Sequence, residues 1–492
     1  MIAASPLVAN PASVALHPGA SGTISISGAN GAITVTFTQA LATATVDQVS
    51  HVVTIAASAQ TGNDVAHVTD ASGANVDVPV RVALDAGTIP SALTLKVTGS
   101  PIDPNWLDTQ ITQFVLRNLN IQKGAQATVA PLSSLPAPSV GTSGVVSVPL
   151  QINGNGTYFD VSGATDVTVQ NVGVEPFAPP VLFYDDDPER VTTDGLIYRG
   201  TVDSLTPARL YYYHDGGPDT RNLAVILSTA AASSVQVVDA SAGPNLDVMS
   251  VGHAVSKGAL AMIPNNEGAI VDLAAHATYV LHDFPLATKA GVAGSVGLQV
   301  LSGGPVTINV VAYSPGVDPA TLLNGPAATP DGHHRTGVFN VLNYGTQSLG
   351  YAVGGPDVKA IYGDRDATPP NADPQAVGHD YGDYGVLQTF LFSLANPTAA
   401  PATVYLYERP IGGIVRSSFL VDGAVVDVGC VRQSIPYQIQ AFQLAPGGKY
   451  QLNVQTMTDG GSNYPLEIGI TAIVPQPTAP PISSPTGCFP KR

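Results

Sequence analysis

Between residues 12 and 84, apolar and polar positions alternate with a period of two. In ASVALHPGASGTISISG, Ile24 and Ile26 fall on one face, and in GAITVTF the residues Ile33, Val35 and Phe37 keep phase. HVVTIAA follows, and VAHVTDASGANVDVPVRVAL holds two alternating runs around the polar turn DASGAN. Such alternation predicts half-buried strands and a small β-sandwich over residues 1–86. The one clear helical pattern is DPNWLDTQITQFVLRNLNI, where Trp106, Leu107, Ile111, Phe114, Val115 and Leu119 recur at three- and four-residue steps. Asp103 and Pro104 suit an N-cap and a first turn. With VVSVPLQI, TYFDVSG and TDVTVQNVGV after it, residues 87–178 are expected to form a small α+β domain with one helix near 103–119, and Trp106 to pack in its core.

Two further stretches, 179–316 and 335–475, read as sandwich repeats. LSTAAASSVQVVD from Leu227 pairs with FSLANPTAAPATVYLYE from Phe392, LAAHATYVL from Leu273 with LAPGGKYQL from Leu444, and GGPD occurs at 216–219 and 354–357. The displacements differ, and the surplus falls mostly in IYGDRDATPPNADPQAVGHDYGDYG, which reads as a loop inserted in the second repeat. SPGVDPATLLNGPAATPDG joins the repeats as a Pro/Gly-rich linker, and residues 476–492 form a Pro-rich tail without periodicity.

The opening ASVALHPGASGTISISG, the closing VTDASGANVDVPVRV and the length near 80 residues resemble the bacterial Ig-like (Big-type) family. That resemblance implies a spacer or adhesive module of a surface protein. Leu444-Ala-Pro-Gly-Gly-Lys-Tyr450 is similar to the L-x-P-G-x-x-Y spelling of fibronectin type III sandwiches. It implies Leu444 in the core, a turn at Pro446-Gly447, and a tyrosine corner in which the Tyr450 hydroxyl bonds to nearby backbone. In the first repeat only Leu273 and Tyr279 of that motif remain, with Ala275 and His276 in place of Pro and Gly. Taken whole, the chain resembles modular bacterial secreted or surface proteins. The fold class expected is mainly β: tandem Ig-like/fibronectin-like sandwiches with one small α+β domain.

Composition narrows the partners. Hydrophobic residues make up 44% of the 492, enough for packed cores. The net charge of −17 repels phosphate backbones and anionic lipid, so no nucleic-acid partner is expected. No run approaches the ~18 apolar residues of a membrane span. The N-terminus MIAASPLVANPAS lacks a basic segment followed by an apolar core, so numbering is expected to begin after processing. Cys430 and Cys488 have no metal or haem spacing; a disulfide between them would pin the tail and imply an oxidising compartment, and two separate thiols are the alternative. Asn155-Gly-Thr is a formal glycosylation sequon, read here as chance.

No nucleophile elbow, H-E-x-x-H, P-loop or G-x-G-x-x-G is present, so no catalytic residue is assigned and no cofactor is expected apart from calcium. His333-His334 reads as a turn feature rather than a metal site. The acidic stretches are the calcium candidates: Asp185, Asp186 and Asp187 with Glu189 in FYDDDPER, and Asp364, Asp366, Asp373, Asp380 and Asp383 in the inserted loop. Calcium takes six to eight oxygens on turn-rich loops, and a solvated acidic loop is the plainer alternative. LYYYHDGGPDTRN is the densest aromatic patch; on a strand Tyr211 and Tyr213 face one way and Tyr212 the other, with His214, Asp215 and Arg221 as polar neighbours. The expectation is a non-catalytic extracellular or cell-surface structural protein that self-associates or adheres through exposed strand edges or a donated tail. The alternative is a carbohydrate-binding protein using the Tyr211–Asp215 patch or the 358–386 loop.

Overall fold

The computed structural model describes residues 6–176, 178–332, 334–340, 344–364, 366–367 and 380–477, with backbone alone at 340, 366 and 367. The chain is mainly β, 55% strand and 8% helix, arranged as tandem sandwiches. No described helix is long and apolar enough to cross a membrane. The chain divides into two compact units.

The first unit holds residues 1–95, 104–138 and 143–170. Two four-stranded sheets face each other there. One runs Val8–Asn10, Ser21–Ser27, Val52–Ala57, Ala42–Asp47; the other runs Val14–Leu16, Asn75–Val82, Gly62–Asp70, Ile33–Phe37. The in-phase residues anticipated from the alternation, Ile24, Ile26 and Ile33, are buried with Val53, Ile55, Val68 and Val80. The helix Pro104–Arg117 buries Leu107, Ile111 and Val115. Trp106 is half-buried rather than a core residue.

The second unit contains the duplication. Its first copy runs β1 (Val181–Asp185), β2 (Gly195–Val202), β3 (Ala208–Gly216), β4 (Arg221–Thr229), β5 (Ser233–Asn245), the helix α1 (Val248–Met262), β6 (Gly268–Leu273), β7 (Thr278–Leu286), β8 (Gly291–Gly303) and β9 (Val306–Tyr313). The second runs β10 (Thr346–Ala352), β11 (Val358–Tyr362), β12 (Leu387–Ala395), β13 (Ala402–Pro410), β14 (Val415–Val421), β15 (Ala424–Val431), β16 (Tyr437–Leu444), β17 (Lys449–Met457) and β18 (Leu466–Thr471). The strand orders match one for one. In the first copy β6-β5-β8-β3-β1 packs on β2-β9-β4-β7, and in the second β15-β14-β17-β12-β10 packs on β11-β18-β13-β16. Both copies begin with a parallel pair, β1 with β3 and β10 with β12; in the first copy the short strand Arg190–Val191 also pairs with β3 in parallel. Both also carry a register shift at one equivalent place, which sets Leu281 of β7 and Ile439 of β16 out of the ladder as buried residues.

Strand order corrects the motif pairing read from the sequence. LAAHATY joins β6 to β7, whereas LAPGGKY joins β16 to β17. The true counterpart of Phe442-Gln-Leu-Ala445 is Phe284-Pro-Leu-Ala287. The turns that follow close alike: Ala290 N–H donates to the Ala287 carbonyl and Gly448 N–H to the Ala445 carbonyl, both at 2.9 Å. Lys289 (φ 62°) and Gly447 (φ 66°) take the same left-handed conformation. The false match arose because the 274–277 turn repeats this chemistry, with an Ala277 to Ala274 bond and His276 at φ 59°. The GGPD copies likewise sit in non-equivalent turns, β3–β4 and β10–β11.

The tyrosine corner also needs correction. Leu444 is buried as expected, but Tyr450 is 40% exposed. Its hydroxyl donates to the Asp422 carboxylate at 2.6 Å rather than to backbone, because its strand begins at an open edge of the turn where the β14–β15 hairpin presents that acid.

Each copy is interrupted once, at a different point. The second copy carries residues 363–386 between β11 and β12, where the first has only 203–207. The first carries α1 between β5 and β6, where the second has the Asp422-Gly423 hairpin turn. The helix α1 was not legible. It buries Met249, Val251, Gly252, His253, Val255, Ser256, Ala259, Leu260 and Met262, nearly all round, so no single apolar stripe marks it. The reason is its position: it packs against β5 and β8 of its own copy and against β14, β15 and β17 of the other.

Candidate functional site

The two interruptions and the acidic stretch after β1 meet in one cleft of about 210 Å³. Alternation on β3 decides which tyrosines reach it. Tyr212 enters the first core and hydrogen-bonds His282 at 2.7 Å. Tyr211 and Tyr213 face the opposite way and line the cleft with Tyr184 of β1 and Tyr384 of the second copy's insertion. Tyr184 and Tyr211 lie with ring centroids 5.6 Å apart. The Tyr211 hydroxyl is buried and has no hydrogen-bond partner among the described residues. Gly460 makes room for it, since a Cβ there would stand 2.5 Å from that oxygen.

The polar wall comes from Asp186, Glu189, His334 and Arg335. The Asp186 N–H donates to the Arg335 carbonyl at 2.9 Å, which holds the two residues side by side. The Arg335 guanidinium lies over the rings of Tyr184 (5.8 Å) and Tyr384 (5.4 Å), donates to the Tyr381 carbonyl at 2.9 Å, and stands 3.7 Å from Asp380. Burial drives the Asp186 carboxyl up to about 8 against the pull of Arg335. Burial also drives Asp380 well above the carboxylate range, again against Arg335 and with the neighbouring Asp383 adding to the rise. One oxygen of each, Asp186 Oδ1 and Asp380 Oδ2, has no partner. His334 lies 2.5 Å from Glu189 and 2.8 Å from Asp331. Burial alone would lower its pKa; the Asp331 bond and the charges of Asp186 and Glu189 outweigh that and raise it.

The three consecutive aspartates therefore have three tasks. Asp185 is fully buried and pairs with His214 at 3.2 Å. Asp187 accepts the backbone N–H groups of Asp331 (2.7 Å) and Gly332 (3.2 Å) and so fixes the loop that carries His334 and Arg335. Asp186 alone of the three lines the cleft. Among the described residues no group of three or more His, Cys, Asp or Glu side chains is placed to hold a metal ion. Of the inserted-loop acids, Asp364 is exposed, the side chain of Asp366 and all of Asp373 lie outside the described residues, and Asp383 accepts from Tyr344 (2.7 Å) and Gln388 (3.1 Å).

His214, expected beside the two tyrosines, is sequestered: its other nitrogen meets the Pro188 carbonyl at 2.9 Å and the ring has no exposure. Burial lowers its pKa and the adjacent Asp185 more than restores it. Asp215 accepts from Arg190 Nε and Nη2, both at 3.2 Å, and Arg221 pairs with Asp194 at 3.0 Å, so neither serves the cleft. His333 lies outside the described residues. Cys430 is half-buried on β15, and Cys488 also lies outside them.

Beneath the cleft, α1 is fastened to the second copy. His253 Nδ1 lies 2.5 Å from Asp459 and its Nε2 2.7 Å from Asp427, whose other oxygen receives Lys257 at 2.6 Å. Burial works against the imidazolium, and the two carboxylates outweigh it, raising His253 to about 9. Sequence reasoning missed Tyr184, Arg335, Tyr384 and the His253 clamp. The signal available was limited to Tyr184 directly before the Asp185–Asp187 run and Tyr384 directly after Asp383.

No family model matches the chain, and no curated protein does. Among solved structures, the I-band fragment I67–I69 of titin aligns at 12% identity over 45% of this chain and 79% of that one, TM-score 0.15. The N-terminal Ig1-2 module of the Drosophila receptor protein tyrosine phosphatase DLAR aligns at 12% over 34% and 100%, TM-score 0.14. A Bacteroides ovatus protein, SGBP-B of a mixed-linkage glucan utilization locus, solved with a mixed-linkage heptasaccharide, aligns at 13% over 61% and 73%, TM-score 0.13. At scores this low the likeness is no guide to what the chain binds.

Proposed function

We propose that the chain is a non-catalytic extracellular adhesion protein that holds a sugar residue of a surface glycan in the tyrosine-walled cleft. The observation that carries this reading is the pair of buried polar atoms without a partner among the described residues, Tyr211 Oη and Asp186 Oδ1, in a cleft with one wall of tyrosine rings and one of charged groups. A pyranose has one apolar C–H face that stacks on such rings and a rim of hydroxyls that both donate and accept. Asp186, protonated near neutral pH, does both; Arg335 donates. The volume suits one sugar unit at the end of a chain or exposed along it. The unit is held between two copies of one sandwich, and each copy's insertion lines the cleft, through Val248 and Tyr384. An acidic, lysine-poor surface and Ig-like sandwiches suit a bacterial surface protein. A Cys430–Cys488 disulfide would suit the same compartment, and non-reducing peptide mapping tests it.

The test is a glycan array probed with the wild type and with Tyr213→Ala, alongside sedimentation velocity. A monomer that retains a defined glycan set, lost in the variant, supports the reading. A polymer without glycan affinity would overturn it in favour of self-association into filaments or layers.

A further inference from the structure

The face of β3 that carries Tyr211 and Tyr213 has a third member, Arg209, two residues before Tyr211. It opens into a different space. The turn at 384–386 packs onto Tyr211, so closely that a Cβ on Gly385 would stand 2.6 Å from the Tyr211 Cβ. Beyond that turn lies a cavity of about 400 Å³, lined by Arg209 together with the apolar Leu182 and Val386 and the polar Thr389 and Gln455.

Among the described residues Arg209 has no counter-ion: its guanidinium makes one hydrogen bond, from Nη1 to the Gly385 carbonyl at 3.2 Å, and no carboxylate lines the cavity. Arg190, Arg221, Arg335, Arg409 and Arg416 each lie within 3.9 Å of an Asp or Glu carboxylate, whereas Arg81 and Arg199, like Arg209, donate to backbone carbonyls; of these three Arg209 is the one that lines a cavity of this size. Burial with no opposing charge pulls the Arg209 pKa down to about 10. A guanidinium is planar, stays charged, and presents a fork of donors that matches a carboxylate with two parallel bonds. Arg209 is half-buried at the cavity wall, so a ligand that displaces water there and supplies a carboxylate gains a charge-assisted, two-pronged pairing.

We propose that this cavity is a binding site for a small organic carboxylate, gripped through its two oxygens by Arg209, with its carbon body against Leu182 and Val386. Thr389 and Gln455, already 3.3 Å apart, offer hydroxyl and amide groups at the rim for a polar substituent. The site is separate from the tyrosine cleft and does not depend on what that cleft binds.

The experiment uses the full chain and three probes: benzoate, its neutral isostere benzamide, and inorganic phosphate, each titrated by calorimetry and followed by thermal melting. Benzoate is expected to bind and raise the melting temperature, benzamide to do neither, and phosphate, which lacks a carbon body, to bind at least about ten-fold more weakly. Arg209→Gln is expected to abolish benzoate binding while remaining folded. Arg209→Lys keeps the charge but loses the fork, and is expected to weaken benzoate by about ten-fold or more while remaining folded. Equal binding of benzoate and benzamide, phosphate binding as tightly as benzoate, unchanged affinity in either variant, or no shift with benzoate at millimolar concentration would each overturn the proposal.

Discussion

His253 of the first sandwich copy and Asp459 of the second are joined at 2.5 Å, across 206 residues of chain. Asp459 is fully buried, and one of its oxygens has no partner. Removing the imidazole would strand that carboxylate, so His253→Gln is expected to lose about 3 kcal/mol of stability by chemical denaturation. The pH dependence has a definite sign. His253 is raised to about 9 from an ordinary value near 6.5. Its contribution is therefore fully present below about 6.5 and disappears as pH rises through about 9. Melting curves between pH 6 and 10 should fall more steeply for the wild type than for His253→Gln.

Asp186 adds a second slope, at lower pH, that can be told apart from the first. Its carboxyl is raised from an ordinary 3.8 to about 8, chiefly by burial. Its protonated form is the one the fold accommodates, so stability is lost progressively as pH rises from about 4 and the loss is complete above about 8. Asp186→Asn is expected to match the wild type only near pH 4 and to melt increasingly higher up to about pH 8, with no further divergence beyond. Glycan affinity of the wild type should fall as pH rises through about 8, as the carboxyl stops donating.

Gly252 lies inside α1, where alanine ordinarily gains about 1 kcal/mol. Here a Cβ would stand 2.1 Å from the Gly460 carbonyl oxygen, backbone against backbone. Gly252→Ala is expected to lose about 1–3 kcal/mol instead and to push residues 459–461 off the cleft. Equilibrium unfolding in urea reads the sign directly.

The equivalent turns 287–290 and 445–448 permit a paired test of the duplication. Lys289 is exposed and left-handed, and Gly447 has open space where a Cβ would go. Lys289→Gly should therefore gain about 0.5–1 kcal/mol and Gly447→Ala lose about 1 kcal/mol, through backbone alone. Equal and opposite shifts in thermal melting are the expected readout.

Strand alternation carried the fold class well: Ile24, Ile26 and Ile33 are buried where period two put them, and Tyr211 and Tyr213 face away from Tyr212. The duplication was legible as a fact but misaligned by a strand, because the same tight-turn chemistry occurs at 274–277 and 287–290. Only strand order separates the two. The helix α1 was hidden because burial on several faces erases the stripe that marks a surface helix.

The cleft was legible only in halves. The tyrosine run reaches it through Tyr211 and Tyr213, the first acidic run through Asp186, and the inserted loop through Tyr384 rather than through its acids, with Asp380 beside Arg335. Nothing local in the sequence says that Asp186 and Asp380 would flank Arg335, the first residue of the second repeat as read from the sequence. Nor does a run of three aspartates reveal that Asp185 meets a histidine, Asp187 caps a loop, and Asp186 alone lines the cleft. Those assignments follow from tertiary packing.

The most direct test of the cleft is a calorimetric titration of the strongest array glycan into wild type, Tyr213→Ala and Asp186→Asn at pH 6.5. The account predicts one site per chain, with affinity reduced at least about ten-fold in both variants while their folds persist. Unchanged affinity in both would place the glycan elsewhere and contradict the account.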